Sequence, residues 1–470
     1  MRNVLLALTV LAATLAGCAA DGPDEPTDEE LEESQSAIYD AIETAIGAPL
    51  LQSGPDPSRP NELFLERIAA VTGEAGREPV AEGYVETAVK NGYAYLCRSG
   101  PEGGLAIFDV RDIETPVFTG FLALEAGFEP DIEVTDDGRY AFWEVQRAGV
   151  PTVPDPTSPG GSLPRGIHVI DVSDKSAPAW VSYTPVEIDG PHSITYANIS
   201  GEDYVFASIY SWQYVGTSVG LPPLAPPGIQ RLSIYRLADD GTLAEVSTYV
   251  DPDAAEPNPV MPEGGKMPHD VSIAVHPITK RTYAYVAYWN LGVVILDVTD
   301  PAHPTKVGAA SDFGAAASKE IHMARQSEGL IDGRVIVVAE PEIGQQETTG
   351  YMSMIDVTDP TAPVFVSNWK IPGESDSAGG GRGPHYFDLR EGRVALASYS
   401  AGFWVFDIHD RANLEQPRTV GYSFSQGSAF DAWWADPTHV VASDGGGLVV
   451  FRYTGPTPAL DEQVTAFTMP

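Results

Sequence analysis

Val294-Ile295-Leu296-Asp297-Val298-Thr299-Asp300-Pro301, with a second proline at Pro304, is an apolar run that ends on an acid, a polar turn and a proline stop. β-Branched residues favour a pleated, buried strand, and Asp and Pro favour the turn that ends it. The same run recurs along the chain. Ala106-Ile107-Phe108-Asp109-Val110 leads to Pro116, and Val169-Ile170-Asp171-Val172 leads to Pro178. Met354-Ile355-Asp356-Val357-Thr358-Asp359-Pro360 leads to Pro363, and Trp404-Val405-Phe406-Asp407-Ile408 leads to Pro417. Two weaker copies, Ser233-Ile234-Tyr235-Arg236-Leu237 and Val450-Phe451-Arg452-Tyr453, fill the gaps. The anchor positions 109, 171, 235, 297, 356, 407 and 452 step by 62, 64, 62, 59, 51 and 45 residues.

Seven such units, each with room for several short strands, predict an all-β fold: a seven-bladed β-propeller of four-stranded antiparallel blades. In the sixth unit the strands are expected at His385–Leu389, Val394–Tyr399, Phe403–Ile408 and Thr419–Phe424. The seventh copies it at a constant offset of 45, which places its fourth strand near Val464 and leaves open whether Phe64–Val71 adds a further strand to close the ring. A lone blade exposes both faces of its sheet, and a closed ring buries them. Gly83-Tyr84, Tyr93-Ala94-Tyr95-Leu96 and Gly104–Val110 in the first unit, with Tyr285-Val286-Ala287 and Gly292–Pro301 in the fourth, resemble the consensus of the LVIVD-repeat family of prokaryotic surface propellers. The resemblance runs from about residue 80 to 469. It implies a fold and an envelope location but no single activity.

The 470 residues are 43% hydrophobic and 9% aromatic, enough for a large core, and the 46 Gly and 40 Pro are spread as many tight turns require. A net charge of −39 repels phosphate backbones and anionic headgroups, which excludes nucleic acid and polybasic membrane docking.

Met1-Arg2-Asn3 is a short basic start, and Val4–Leu15 is an apolar stretch of signal-peptide length, too short to span a bilayer. It ends in Leu15-Ala16-Gly17-Cys18, which resembles the lipobox of bacterial lipoproteins. The resemblance implies a signal peptide over 1–17 and lipidation of Cys18. It also implies a lipid-anchored protein of the bacterial cell envelope, facing the periplasm or the surface. Ala19 and Ala20 after the Cys favour the outer membrane. Residues 18–60 read as an acidic tether, with Ile38, Ile42 and Ile46 at the spacing of one short helix, and 61–470 as the propeller. With Cys18 lipidated, Cys97 has no disulfide partner and reads as a buried structural thiol. A monomer is expected.

Aligned on the residue that opens each innermost strand, the blades read Glu86, Asp131, His192, His269, His322, His385 and Phe430. Inner-strand ends converge on the central channel. Four neutral imidazoles with carboxylates nearby therefore suit a divalent transition metal, Fe, Cu, Zn or Mn. On this reading His192, His269, His322 and His385 are ligands. Glu86 and Asp131 take a ligand hydrogen bond or add a donor, and binding weakens below about pH 6, near the free histidine pKa of ~6.5. The set looks like the four-His iron site of carotenoid-cleaving propeller oxygenases and the His-rich channel of selenium-binding methanethiol oxidases. Both resemblances imply redox or oxygenase chemistry.

Two other readings stay open. In one, a structural network, each His bonds within its own blade to Asp109, Asp171, Asp297, Asp356 or Asp407, as Gly-His pairs do in WD-repeat propellers. In the other, the histidines line a metal-free polar ligand pocket. The structural network goes with a non-catalytic cell-surface binding or adhesion scaffold in place of an enzyme. Long Pro- and Gly-rich insertions at 146–165 and 212–229 are expected to cover one face, and Trp433 and Trp434 to lie near the channel. His168, His276, His303, His409 and His439 are expected in packing or surface roles. No hydrolase elbow, phosphate loop or dinucleotide fingerprint is apparent.

Overall fold

Each apolar run of the repeat becomes the third strand of a four-stranded antiparallel blade, and the sheet of one blade, the sixth, gains a fifth strand from the N-terminal side. The structure is a computed structural model that describes residues 62–71, 83–98, 103–124, 130–146, 165–186, 190–210, 230–254, 266–314, 321–341, 351–372, 383–424 and 428–455. Blades one to five span Tyr84–Ala123, Ile132–Pro185, Pro191–Tyr249, Met267–Ala310 and Ile321–Trp369. The sixth spans Phe387–Ser423, with strands at Phe387–Arg390, Arg393–Ala397, Phe403–Asp407 and Arg418–Ser423, within two residues of expectation. The seventh runs from Ala429 to Tyr453. Every inner strand packs against that of the next blade, and the seventh packs against the first, so the sheets close as a ring. One short helix, Arg411–Glu415, is the only one among the described residues, and none of them forms a helix long and apolar enough to cross a membrane.

The core lies between blades. Val85, Cys97, Ile107, Ile132, Trp143 and Ile170 form one buried cluster from two neighbouring sheets, and other junctions repeat the pattern. Because both faces of a sheet are covered, the third strands are apolar on both, as in Val293-Val294-Ile295-Leu296.

The repeat's acid ends the strand by bonding the chain two residues on. Asp109, Asp171, Asp297, Asp356 and Asp407 each accept the backbone N–H of residue i+2 at 2.8–3.0 Å. This is the Asx turn that Asp favours. Glycine in the fourth strand allows neighbouring blades to touch: a Cβ at Gly308 would meet the Pro360 carbonyl at 2.1 Å, and one at Gly120 would meet that of Lys175 at 2.2 Å.

The ring is closed from the N-terminal side. Strand β1 (Glu62–Leu63) pairs with Ser423 and Tyr422 of blade six. Strand β2 (Leu65–Val71) pairs with Tyr453–Leu448 as the fourth strand of blade seven. The edge expected for a strand near Val464 is thus already occupied. Val464 lies outside the described residues, as do Cys18, the signal and tether segments, residues 147–164 and residues 211–229.

Candidate functional site

The four histidines sit at one repeated irregularity. The pairing register of the inner strand slips between Pro191 and Ser193, between Pro268 and Asp270, and between Ile321 and Met323, each time skipping the histidine. In blade six Ala397 donates to the Tyr386 carbonyl and accepts from His385 N–H, so one residue faces two. A β-bulge of this kind turns a side chain out of the strand's alternation. His192 is 6% exposed and His269, His322 and His385 are each 2% exposed, although all lie at strand ends.

The imidazoles form an arc in blade order. Ring centroids are 4.3 Å apart for His192 and His269, 4.2 Å for His269 and His322, and 4.6 Å for His322 and His385. Each of three rings has its Nδ1 fixed from outside the arc. His192 Nδ1 lies 2.9 Å from Gln146 Oε1, His322 Nδ1 2.7 Å from Glu340 Oε2, and His385 Nδ1 2.8 Å from the Phe430 carbonyl. These acceptors assign the proton to Nδ1 and leave the Nε2 lone pair as donor. His192 Nε2 lies 2.8 Å from His269 Nε2, a contact in which the tautomer decides which ring donates. An aromatic shell surrounds the arc: Trp289 stacks on His269 at 5.2 Å, Tyr210 lies 4.7 Å from His192, and Tyr399 lies 4.7 Å from His385.

All four imidazoles are held neutral. Burial, with repulsion from His385, lowers His192 to about 3, and burial lowers His385 to about 3. Burial and the neighbouring rings push His269 and His322 well below the ordinary value.

Glu86 and Asp131 belong one step further along their strands than expected. Asp431 accepts the Thr87 N–H at 3.0 Å just as Asp131 accepts that of Ile194 at 2.7 Å, which makes Glu86 the counterpart of Ser193. Asp131, Asp270 and Asp431 each also accept the N–H of their own next residue, at 2.6–2.7 Å. The positions equivalent to the histidines in blades one and two are therefore Val85 and Pro130, with Phe430 in blade seven as expected. Val85 and Phe430 share a buried apolar cluster, so the arc faces an apolar wall. Asp131 binds backbone and clasps blade two to blade three. The acceptors that meet the imidazoles are Gln146, Glu340 and the Phe430 carbonyl. Enclosure raises Asp131 to about 8 and Asp431 to about 7.

Bonding of the four histidines to the repeat aspartates is not what forms, although His322 does bond Glu340 of its own blade. The repeat aspartates sit at the other ends of their strands, where Asp297 pairs with Arg281 and Asp407 with His409. Among the described residues, no group of three or more His, Cys, Asp or Glu is already arranged around one metal-sized point. Glu340 and Gln146 were not anticipated. The available signal was an acid closing the unbroken apolar run Val335–Ala339. The remaining histidines pack or cap turns: His276 bonds the Val357 carbonyl, and His303 and His439 bond Asp300 and Asp436. Cys97 is fully buried, and burial pushes its thiol pKa well up, so it is unreactive. Trp434 lies in the core, while Trp433 stacks under Arg325 at 4.1 Å.

The family model for the LVIVD repeat matches residues 165–184 and 280–312. No curated protein matches the chain. Among solved structures the chain is similar to the Cps50 (Swd1) β-propeller domain of Myceliophteria thermophila. Identity is 10%, over 81% of this chain and 99% of that one, with a TM-score of 0.51, a likeness of fold alone. It is also similar to a protein from Lactobacillus plantarum, at 15% identity over 73% of this chain and 86% of that one, with a TM-score of 0.49.

Proposed function

We propose that this LVIVD-repeat propeller is an envelope-anchored metalloprotein. In this reading His192, His269, His322 and His385 hold one divalent transition ion for redox or oxygenase chemistry on an apolar substrate. The observation that carries the reading is the repeated bulge. Four consecutive blades deliver a buried, neutral imidazole to one end of the channel, and three of them are fixed through Nδ1 so that Nε2 is left as donor. Two ligands about 2.1 Å from one ion and at right angles lie roughly 3 Å apart, and the 2.8 Å between His192 and His269 Nε2 is close to that spacing. The donor set fits the group: imidazole suits Fe, Cu, Zn or Mn. When bound, the ion would supply an electron-transfer or oxygen-activating centre. Glu340 would orient His322 and offset the ion's charge. Val85 and Phe430 would exclude water on the opposite side and receive the apolar substrate. Anchoring through Cys18 would keep this chemistry at the bacterial outer membrane.

The test is metal content. Protein purified from its native membrane should carry about one transition-metal ion per chain. His269→Ala should lose it while the far-ultraviolet β-sheet signal stays, because the bulged residue stands outside the strand's pairing ladder. A His269→Ala protein with full metal content contradicts the assignment. One observation favours a second reading, a non-catalytic binding or scaffold propeller: the contacts run along the arc from ring to ring and do not close on one point. Wild-type protein that stays metal-free after exposure to each of the four metals selects that reading.

A further inference from the structure

We propose that a cavity at the opposite end of the channel binds a small organic acid, a carboxylate carried on an apolar body. The cavity has a volume of about 460 Å³ and is lined by Val89, Val110, Ile113, Arg111, Arg390 and Trp434 among other residues. The inner strands of blades one and six start at the histidine end and finish here, at Lys90 and Arg390. Two guanidinium groups thus line one cavity in a chain where 66 acidic side chains outnumber 27 basic ones.

The two arginines differ in what they already hold. Arg111 is ion-paired with Asp109. The Arg390 side chain makes no ion pair or hydrogen bond among the described residues, and its buried Nε has no acceptor. Glu328 is near enough to interact with it electrostatically, but makes no hydrogen bond or ion pair to it among the described residues, and the other acids around it are engaged elsewhere. Asp388 accepts from Arg325, Leu389 and Trp434, and Glu391 accepts from Arg393 at 3.1 Å. Asp436, the acid that lines the cavity, is held by Thr438 and His439. Trp434 is 5% exposed, and its Nε1 likewise lacks an acceptor among the described residues.

A buried donor without an acceptor is costly, and a carboxylate placed against it removes that cost. The guanidinium fork matches a carboxylate bidentately, which a lysine cannot do. Val89, Val110 and Ile113 offer an apolar surface that an inorganic anion would leave unused. A carboxylate on a hydrocarbon body uses both halves of the lining.

The probe is benzoate, titrated calorimetrically into the full chain at low salt. Saturable one-to-one binding is expected, with no binding of benzyl alcohol, which keeps the ring and lacks the charge. Arg390→Met should weaken binding by about tenfold or more, a charge-assisted bond's worth. Arg390→Lys should recover only part of it, and it also serves as the variant if the methionine protein does not fold. Absence of saturable benzoate binding overturns the proposal. So does unchanged affinity in the Arg390 variants, or inorganic phosphate binding as tightly as benzoate.

Discussion

Asp356 and its counterparts show how one residue type can be read twice. In the sequence they mark the repeat. In the fold their oxygens close the turn after the third strand, about as far from the histidines as a blade allows. The histidines themselves are governed by burial. The unfolded chain takes up protons near pH 6.5, whereas His192 and His385 in the folded chain resist them to about pH 3. The unfolded state therefore binds more protons in that window, and stability falls as pH drops from about 6.5 towards 3. The same depression lowers the pH at which metal binding is expected to weaken from the value of about 6 that free histidine would set. Proton competition at His192 and His385 begins only near 3, so bound metal should persist at pH 5, as dialysis at pH 5 and 7 followed by elemental analysis would show. Equal loss of metal at pH 5 and from a free-imidazole control would refute this. Glu340→Gln keeps an acceptor for His322 Nδ1 but removes the charge, and should weaken metal binding by about 10–100-fold without unfolding the blade. Competition with a calibrated chelator measures this, and unchanged affinity would leave Glu340 without the role given to it.

At the scale of the element, the bulge and the closing strand matter most, and neither could be read in full. Five of the third strands were legible because each is a continuous apolar run with an acid and a proline behind it, and the two weaker copies were found from their spacing. The bulge was not, because the extra residue is a matter of pairing and leaves no local mark. Pro130-Asp131 looks like Pro191-His192, so matching the prolines put Asp131 at the channel position. The pairing puts Pro130 there instead and turns Asp131 to the neighbouring blade. The strand Leu65–Val71 was only an open possibility, because its partners lie almost four hundred residues away and its own pattern is short. Its place in blade seven gives a firm expectation. Leu65 is 1% exposed and packs with Val420, Phe451 and Tyr453. Leu65→Ala should destabilise the domain by about 2–5 kcal/mol in urea unfolding. A loss within measurement error would show that the ring does not depend on β2.

For the whole molecule, repeat architecture and closure follow from burying both faces of seven sheets, and the repeat count was readable for that reason. The channel chemistry was half readable: four histidines from four blades were visible as a pattern. The groups that orient them come from the ends of second strands at Gln146 and Glu340 and from the inner-strand carbonyl of Phe430, and obey no repeat. The lipobox reading proposes an address for the molecule. Cys18→Ser should move the protein from the membrane fraction to the soluble one with the propeller folded, and retention on membranes after a high-salt wash would refute anchoring through that residue. The central claim, one ion held by four imidazoles, is met most directly by X-ray absorption on metal-loaded protein. The account predicts four imidazole nitrogens at about 2.0–2.2 Å, falling to three in His385→Ala. A shell of oxygen donors alone, or a spectrum unchanged by His385→Ala, would contradict it.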